Sequence, residues 1–258
     1  MYKVFCIGNS LTADTTRFFT EIAEHEEGYS KCVAMLIGGM TLDGHVERLL
    51  ASSNEHEIYT NGISTRFKSS IGEALASDKW DYILLQQAYS RFGPEKDVSE
   101  HYKFLAHYFK MAAPNAKVIL LNTWAPYYLD AETPDKDRME KFSTYEQGVK
   151  KAAMLMGLGE SAIVPAGKVI EALMQKGIDN LYRDEVHLTL SLGRYAAAQT
   201  LYSYLSGKKA KGNTFRTFTG PRTEEDFLFD EQLGVHFPKA TEEDILTVQQ
   251  TVDEILGF

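Results

Sequence analysis

Cysteine is scarce. Two thiols, Cys6 and Cys32, in 258 residues exclude a disulfide framework, and no Cys/His spacing suits a metal. Both fall inside apolar runs and read as buried free thiols, with a bond between neighbouring strands as the alternative. Long apolar runs are missing too. None approaches the roughly 18–20 residues that span a bilayer, and no signal peptide precedes the first strand. The chain therefore reads as cytoplasmic as written; a leader trimmed before it would leave the same text and place the protein outside the cytoplasm, secreted or periplasmic. Basic charge is short as well: 27 Lys and Arg stand against 36 Asp and Glu, a net charge of −9. Phosphate binding needs clustered cations, so a nucleic-acid partner is excluded. The one basic cluster, Lys208-Lys209 with Lys211, reads as a solvated turn. Neither G-x-G-x-x-G nor a P-loop lysine motif follows the first strand, which disfavours a nucleotide site. G-x-S-x-G is absent, which disfavours an ordinary α/β-hydrolase elbow. There is no linker, tandem repeat or low-complexity stretch.

What remains is a globular composition, 44% hydrophobic and 24% charged, on a chain long enough to bury a core without disulfides or metals. Short apolar runs alternate with helical periodicities. Lys3–Ile7, Cys32–Ile37, Tyr82–Leu85, Lys117–Leu121 and Ala162–Pro165 read as five strands. Between and after them, apolar residues at helical spacing mark helices, among them one from about Ser191 to Leu205 and a last one from Thr241 to Leu256 with Thr241 as N-cap. Asn61-Gly62 between Ile-Tyr-Thr and Ile-Ser-Thr predicts a hairpin inserted on this pattern. Phe215–Phe237 is irregular and aromatic, with one weak strand. Continuously apolar strands alternating with helices imply a mostly parallel sheet covered on both faces. The expectation is a single-domain three-layer α/β/α sandwich with a five-stranded sheet, its core at about 3–205 and a C-terminal extension over 206–258 packed on it.

Ligands in such sheets gather at the carboxyl ends of the strands. Ser10, Gly39, the pair Gln86-Gln87 and Trp124 all fall there. Near the other end of the chain stands Asp184-Glu185-Val186-His187, just before a helix. Serine is a poor nucleophile unless a base lies within hydrogen-bond reach and a third group orients the base. His187 can take the Ser10 proton, and Asp184, three residues before it, can fix the imidazole tautomer. Taken singly, Asp184 reads as a helix cap, His187 as a packing residue and Ser10 as a turn serine. Their conjunction reads as a nucleophile, its base and its orienting acid.

Gly8-Asn9-Ser10-Leu11 resembles the G-D-S-L first block of the SGNH hydrolases, the GDSL-like esterase and lipase superfamily. Asp184 and His187 match its D-x-x-H block, and Ile37-Gly38-Gly39-Met40-Thr41 resembles its glycine block, with Gly39 the better match. The resemblance spans roughly residues 3 to 205 and implies a flavodoxin-like fold and a Ser10–His187–Asp184 catalytic triad. It implies an oxyanion hole from the backbone N–H groups of Ser10 and Gly39, and no metal or organic cofactor. The third block departs from the pattern: Leu84-Leu85-Gln86-Gln87-Ala88 has no asparagine to donate to the oxyanion. Gln87, or failing that Gln86, is the candidate replacement. The L-Q-Q form resembles a less characterised subgroup and has some likeness to a block of sialate O-acetylesterase-like enzymes. A short-chain esterase is therefore expected, acting on acetyl esters of a small molecule or glycan. A catalytically weak glycan-binding scaffold is the alternative, and a lysophospholipase or thioesterase a further one. His45, Trp124 and Asn9 are candidate substrate contacts. For each a local role competes: capping or packing for His45, core packing for Trp124, turn structure for Asn9. His236 with Phe227, Phe229 and Phe237 is a candidate pocket wall in the tail.

Overall fold

The computed structural model describes residues 2–89, 99–128, 131–216, 227–230 and 235–258; side chains over 217–238 lie outside the description, His236 and the tail phenylalanines among them. Five parallel strands form the centre: β1 (Lys3–Gly8), β2 (Lys31–Leu36), β5 (Tyr82–Leu85), β6 (Lys117–Leu121) and β7 (Ile163–Val164). The sheet is larger than the five strands expected. The Asn61-Gly62 hairpin does form, as β3 (His56–Thr60) and β4 (Ile63–Ser69), and it extends the sheet antiparallel beside β2 to give seven strands in the order β4-β3-β2-β1-β5-β6-β7. Both turn residues have positive φ, 51° at Asn61 and 76° at Gly62, the signature of a type I′ turn. A Cβ at Gly62 would lie 2.5 Å from the Arg17 Cα, so the glycine also lets the turn press against the helix that follows β1. Over Phe215–Phe237 the described backbone holds a second hairpin, β8 (Phe227–Asp230) with β9 (Val235–Pro238), rather than one strand.

The apolar runs are continuous because each face of the sheet is covered. Val4, Cys6, Cys32, Ala34, Leu84 and Ile119 point into one core. It is closed by α1 (Ser10–Thr16), α2 (Phe19–Glu27), α7 (Ala166–Gln175), α8 (Leu192–Ser206) and α9 (Glu242–Leu256). Phe5, Ile7, Val33, Met35, Ile83 and Leu85 point into the other, under α3 (Leu42–Leu50), α4 (Ile71–Ala76), α5 (Ser99–Ala112) and α6 (Pro134–Leu155). Cys6 and Cys32 are free, with their sulfurs 3.7 Å apart, and burial pushes the Cys6 thiol up. The C-terminal helix α9 is anchored in the first core: Ile245, Val248 and Val252 are wholly buried, and Gln249 donates to the Tyr195 hydroxyl of α8 at 2.9 Å. Among the described residues no helix is long and apolar enough to cross a membrane.

The chain leaves β1 for β2 on one side and later returns to β5 on the other. β1 is thus where the strand order reverses, and a crevice opens at its carboxyl end.

Candidate active site

Ser10 stands two residues past that end, opening α1. Asn9 caps the helix, its Oδ1 accepting from Leu11 N at 3.0 Å, while its Nδ2 donates to the Met40 carbonyl at 3.2 Å. Asn9 is buried and both ends of its amide serve backbone, so it ties the serine turn to the glycine turn instead of facing substrate space. Gly8 has to be small: a Cβ there would sit 2.1 Å from Thr12 Oγ1 and 2.7 Å from Gln86 Oε1.

Folding brings the far segment onto this serine. His187 Nε2 lies 2.8 Å from Ser10 Oγ, and His187 Nδ1 lies 3.0 and 2.9 Å from the two Asp184 oxygens. Partial burial pushes the Asp184 carboxyl up, but the backbone N–H groups of His187 and Val186 and the adjoining imidazole outweigh it and hold the group below the usual carboxylate range. The arrangement can pass a proton from hydroxyl to imidazole beside a fixed negative charge.

The loop carrying Asp184 and His187 is braced from two sides. Asp14, one turn after Ser10 on α1, is 1% exposed and accepts from Arg183 Nη1 at 3.0 Å, Arg194 Nε at 2.7 Å and Leu188 N at 2.9 Å. From the other side, after β6, Trp124 Nε1 donates to the Val186 carbonyl at 2.7 Å, Tyr127 N to the Glu185 carbonyl at 2.7 Å, and the Tyr182 hydroxyl to the Ala125 carbonyl at 2.9 Å. Trp124 is buried at 1% exposure, so it props the loop and offers no face for a sugar to stack on.

The two glutamines are also occupied. Gln86 Oε1 accepts from Asn9 N at 2.9 Å and Thr12 Oγ1 at 3.1 Å, and its Nε2 donates to the Gln87 carbonyl at 2.6 Å. Gln87 Oε1 accepts from Leu42 N at 2.7 Å and Ala88 N at 2.9 Å, and its Nε2 donates to the Tyr102 hydroxyl at 3.3 Å. One glutamine therefore grips the serine turn and the other the start of α3, just past the glycine turn. Gly39 itself is exposed at φ 64°. Among the described residues nothing accepts from the backbone N–H of Ser10 or of Gly39.

His45 is buried behind Gly8 rather than in the crevice. Its Nδ1 lies 2.9 Å from His56 Nε2 with the rings stacked. Burial and the neighbouring His56 lower its pKa to about 3, a contact with the Gly8 carbonyl offsetting part of this; burial and Arg48 lower His56 to about 4.

A cavity of about 150 Å³ opens directly on Ser10, walled by Gly38, Glu57, Tyr59, Arg183 and Arg194. A larger one, about 770 Å³, borders Arg183 and Asp184, with Tyr127 and Tyr182 in its wall. Asp14, Arg183, Arg194, Glu57 and Tyr59 escaped the sequence reading. The i, i+4 spacing of Asp14 from Ser10 on one helix was the available signal for the first of them.

Residues 3–225 match the DUF4886 family, described as a domain of unknown function. The chain belongs to the DUF4886 family. A DUF4886 family protein from Bacteroides uniformis has a similar crystal structure, with TM-score 0.78 and 26% identity over 100% of this chain and 95% of that one. At lower identity, this DUF4886 chain shares its fold with a protein from Slackia heliotrinireducens assigned to the SGNH hydrolases (TM-score 0.54, 21% identity, 79% of this chain and 98% of that one). It also shares it with an acetyl xylan esterase (TM-score 0.51, 17% identity, 78% and 98%). Comparison with curated proteins finds no match. The fold of this family member is that of the SGNH hydrolases.

Proposed function

We propose that the protein is a serine esterase of the SGNH type that removes short acyl groups, acetyl above all, from a small-molecule or glycan alcohol. The observation that carries this reading is the 2.8 Å contact between Ser10 Oγ and His187 Nε2, with Asp184 on the opposite ring nitrogen. Ser10 Oγ attacks the ester carbonyl and its proton passes to His187 Nε2. The carbonyl oxygen becomes an oxyanion, held by the backbone N–H groups of Ser10 and Gly39, which have no acceptor among the described residues. The carbon–alkoxide bond then breaks and the departing oxygen takes the proton from His187. Water attacks the acyl-enzyme, gives its proton to His187, and the acid leaves as Ser10 recovers its own.

In this reading Gln86 and Gln87 act through their oxygens. They hold the two turns whose backbone donors face the oxyanion, while each amide nitrogen already serves a neighbour. The short-acyl assignment rests on the cavity at Ser10, about 150 Å³, the space of roughly five waters at liquid density. That is too little for the long chain of a lysophospholipid. The weak-scaffold alternative draws on one observation, that among the described residues no side chain is committed to the oxyanion, and predicts slow turnover.

The deciding experiment is hydrolysis of p-nitrophenyl acetate with fluorophosphonate labelling. Wild type should turn over and label at Ser10, and Ser10→Ala should do neither. Undiminished turnover in Ser10→Ala would remove Ser10 from the chemistry.

A further inference from the structure

The cavity at Ser10 is small, and most of what walls it is polar. Besides Ser10 and Asp14, four side chains there can hydrogen-bond: Glu57, Tyr59, Arg183 and Arg194. The two guanidinium groups are committed, both donating to buried Asp14. Glu57 and Tyr59 are not. Glu57 takes the Ser64 hydroxyl on one carboxylate oxygen and has no partner on the other among the described residues; the Tyr59 hydroxyl likewise has none there. They stand opposite Leu36 and Ala34 in the β2–β3 register, two residues apart and so on one face of the strand.

That wall is also held rigid. Asn61 N donates to the Cys32 carbonyl at 2.8 Å, Cys32 N donates to Asn61 Oδ1 at 3.0 Å, and the Gly62 turn is pressed against the end of α1. A carboxylate oxygen that can only accept, next to a phenol that can donate, complements a hydroxyl, which does both. An alkyl group in the same place would leave both unpaired at the edge of a cavity, which is unfavourable.

We propose that Glu57 and Tyr59, on the hairpin beside β2, form a subsite that binds a free hydroxyl of the substrate close to the scissile ester, making the substrate class esters of polyols and sugars rather than of simple alcohols. The inference rests on the esterase reading and names its substrate. A polyol ester places its hydroxyl a few bonds from the carbonyl attacked by Ser10, within a cavity of about 150 Å³. The hydroxyl donates to Glu57 and accepts from Tyr59.

The test compares two esters with the same acyl group, glycerol monoacetate and ethyl acetate, by acid release in wild type, Tyr59→Phe and Glu57→Ala. Wild type should favour glycerol monoacetate in kcat/KM by about tenfold or more, and each substitution should cut that ratio by about five- to tenfold, as expected for one lost hydrogen bond. The ratio is read within each variant, so partial loss of folded protein cancels. An equal ratio in all three proteins overturns the subsite. If wild type labels with fluorophosphonate at Ser10 yet shows no preference, the subsite fails and the esterase reading stands. If it neither labels nor releases acid from either ester, the esterase reading fails and the subsite falls with it.

Discussion

Asp14 and Arg183 meet at 3.0 Å, although 169 residues separate them in the chain. Asp14 is one turn past Ser10 on α1, and Arg183 immediately precedes Asp184, so this ion pair fastens the helix of the hydroxyl to the loop of the imidazole. Asp14 is buried at 1% exposure, and removing one partner of such a pair strands the other charges. Asp14→Ala is expected to lower unfolding free energy by about 3–5 kcal/mol and to slow fluorophosphonate labelling of the folded fraction. Urea melts and labelling rates measure the two effects. A variant as stable as wild type would show that Asp14 is not a brace.

The glutamine assignment separates from direct donation by chemistry. Gln87→Glu keeps an oxygen for Leu42 N and Ala88 N but loses every side-chain N–H; Gln87→Met loses both. If Gln87 works by holding the α3 start, Gln87→Glu should retain turnover within about tenfold, while Gln87→Met should lose on the order of 10²-fold, the scale of one misplaced oxyanion donor. Equal losses of that size in both variants would instead make the amide nitrogen the donor.

Trp124→Phe removes the indole donor to the Val186 carbonyl without emptying the core. A prop under the His187 loop affects every substrate alike. The expected result is a fall in kcat of about tenfold or more, equal for p-nitrophenyl acetate and acetylated sugars. A loss confined to sugars would make the indole a stacking platform.

The stacked histidines tie stability to pH. His45 and His56 have pKa values lowered to about 3 and about 4, whereas an unfolded histidine titrates near 6.5. Between those limits the unfolded chain binds more protons than the folded one, so this stability is fully present above about pH 6.5 and is lost as pH falls. At pH 5 the loss should approach about 2 kcal/mol per ring. Denaturant melts at pH 7.5 and pH 5 read it, and equal midpoints would mean the pair is not buried neutral.

Two kinds of signal made the site legible in the sequence: the spacing of Asp184 and His187 ahead of a helix, and, for the rest, an apolar strand in front of the residue. Lys3–Ile7 announces a buried strand, so the hydroxyl after it is placed by topology, and the same holds for Gln86-Gln87 after Tyr82–Leu85. Helix α1 was not legible, because apart from Leu11 the face it buries is Thr12, Asp14, Thr15 and Thr16. Its interior is polar and satisfied by hydrogen bonds and ions, and no hydrophobic period marks it. Asn61-Gly62 marked the hairpin turn, but nothing local says which edge a hairpin joins. That depends on Gly62 meeting the end of α1. Trp124 and the glutamines were recognised as residues at the right end of the sheet. Which way their polar atoms point depends on partners in other segments, and one chain without its fold does not show that.

Ser10 and His187 touch although they lie 177 positions apart in the chain, with the central strand of the sheet just before one and the largely buried helix α8 shortly after the other. No local cluster of the chain can assemble that contact. A growing chain exposes its serine well before its imidazole, so the contact cannot form until the later loop has emerged and docked. On the proposed mechanism, a probe that marks Ser10 counts completed molecules, and partly opened forms that keep β1 paired but release the later loop go dark to it.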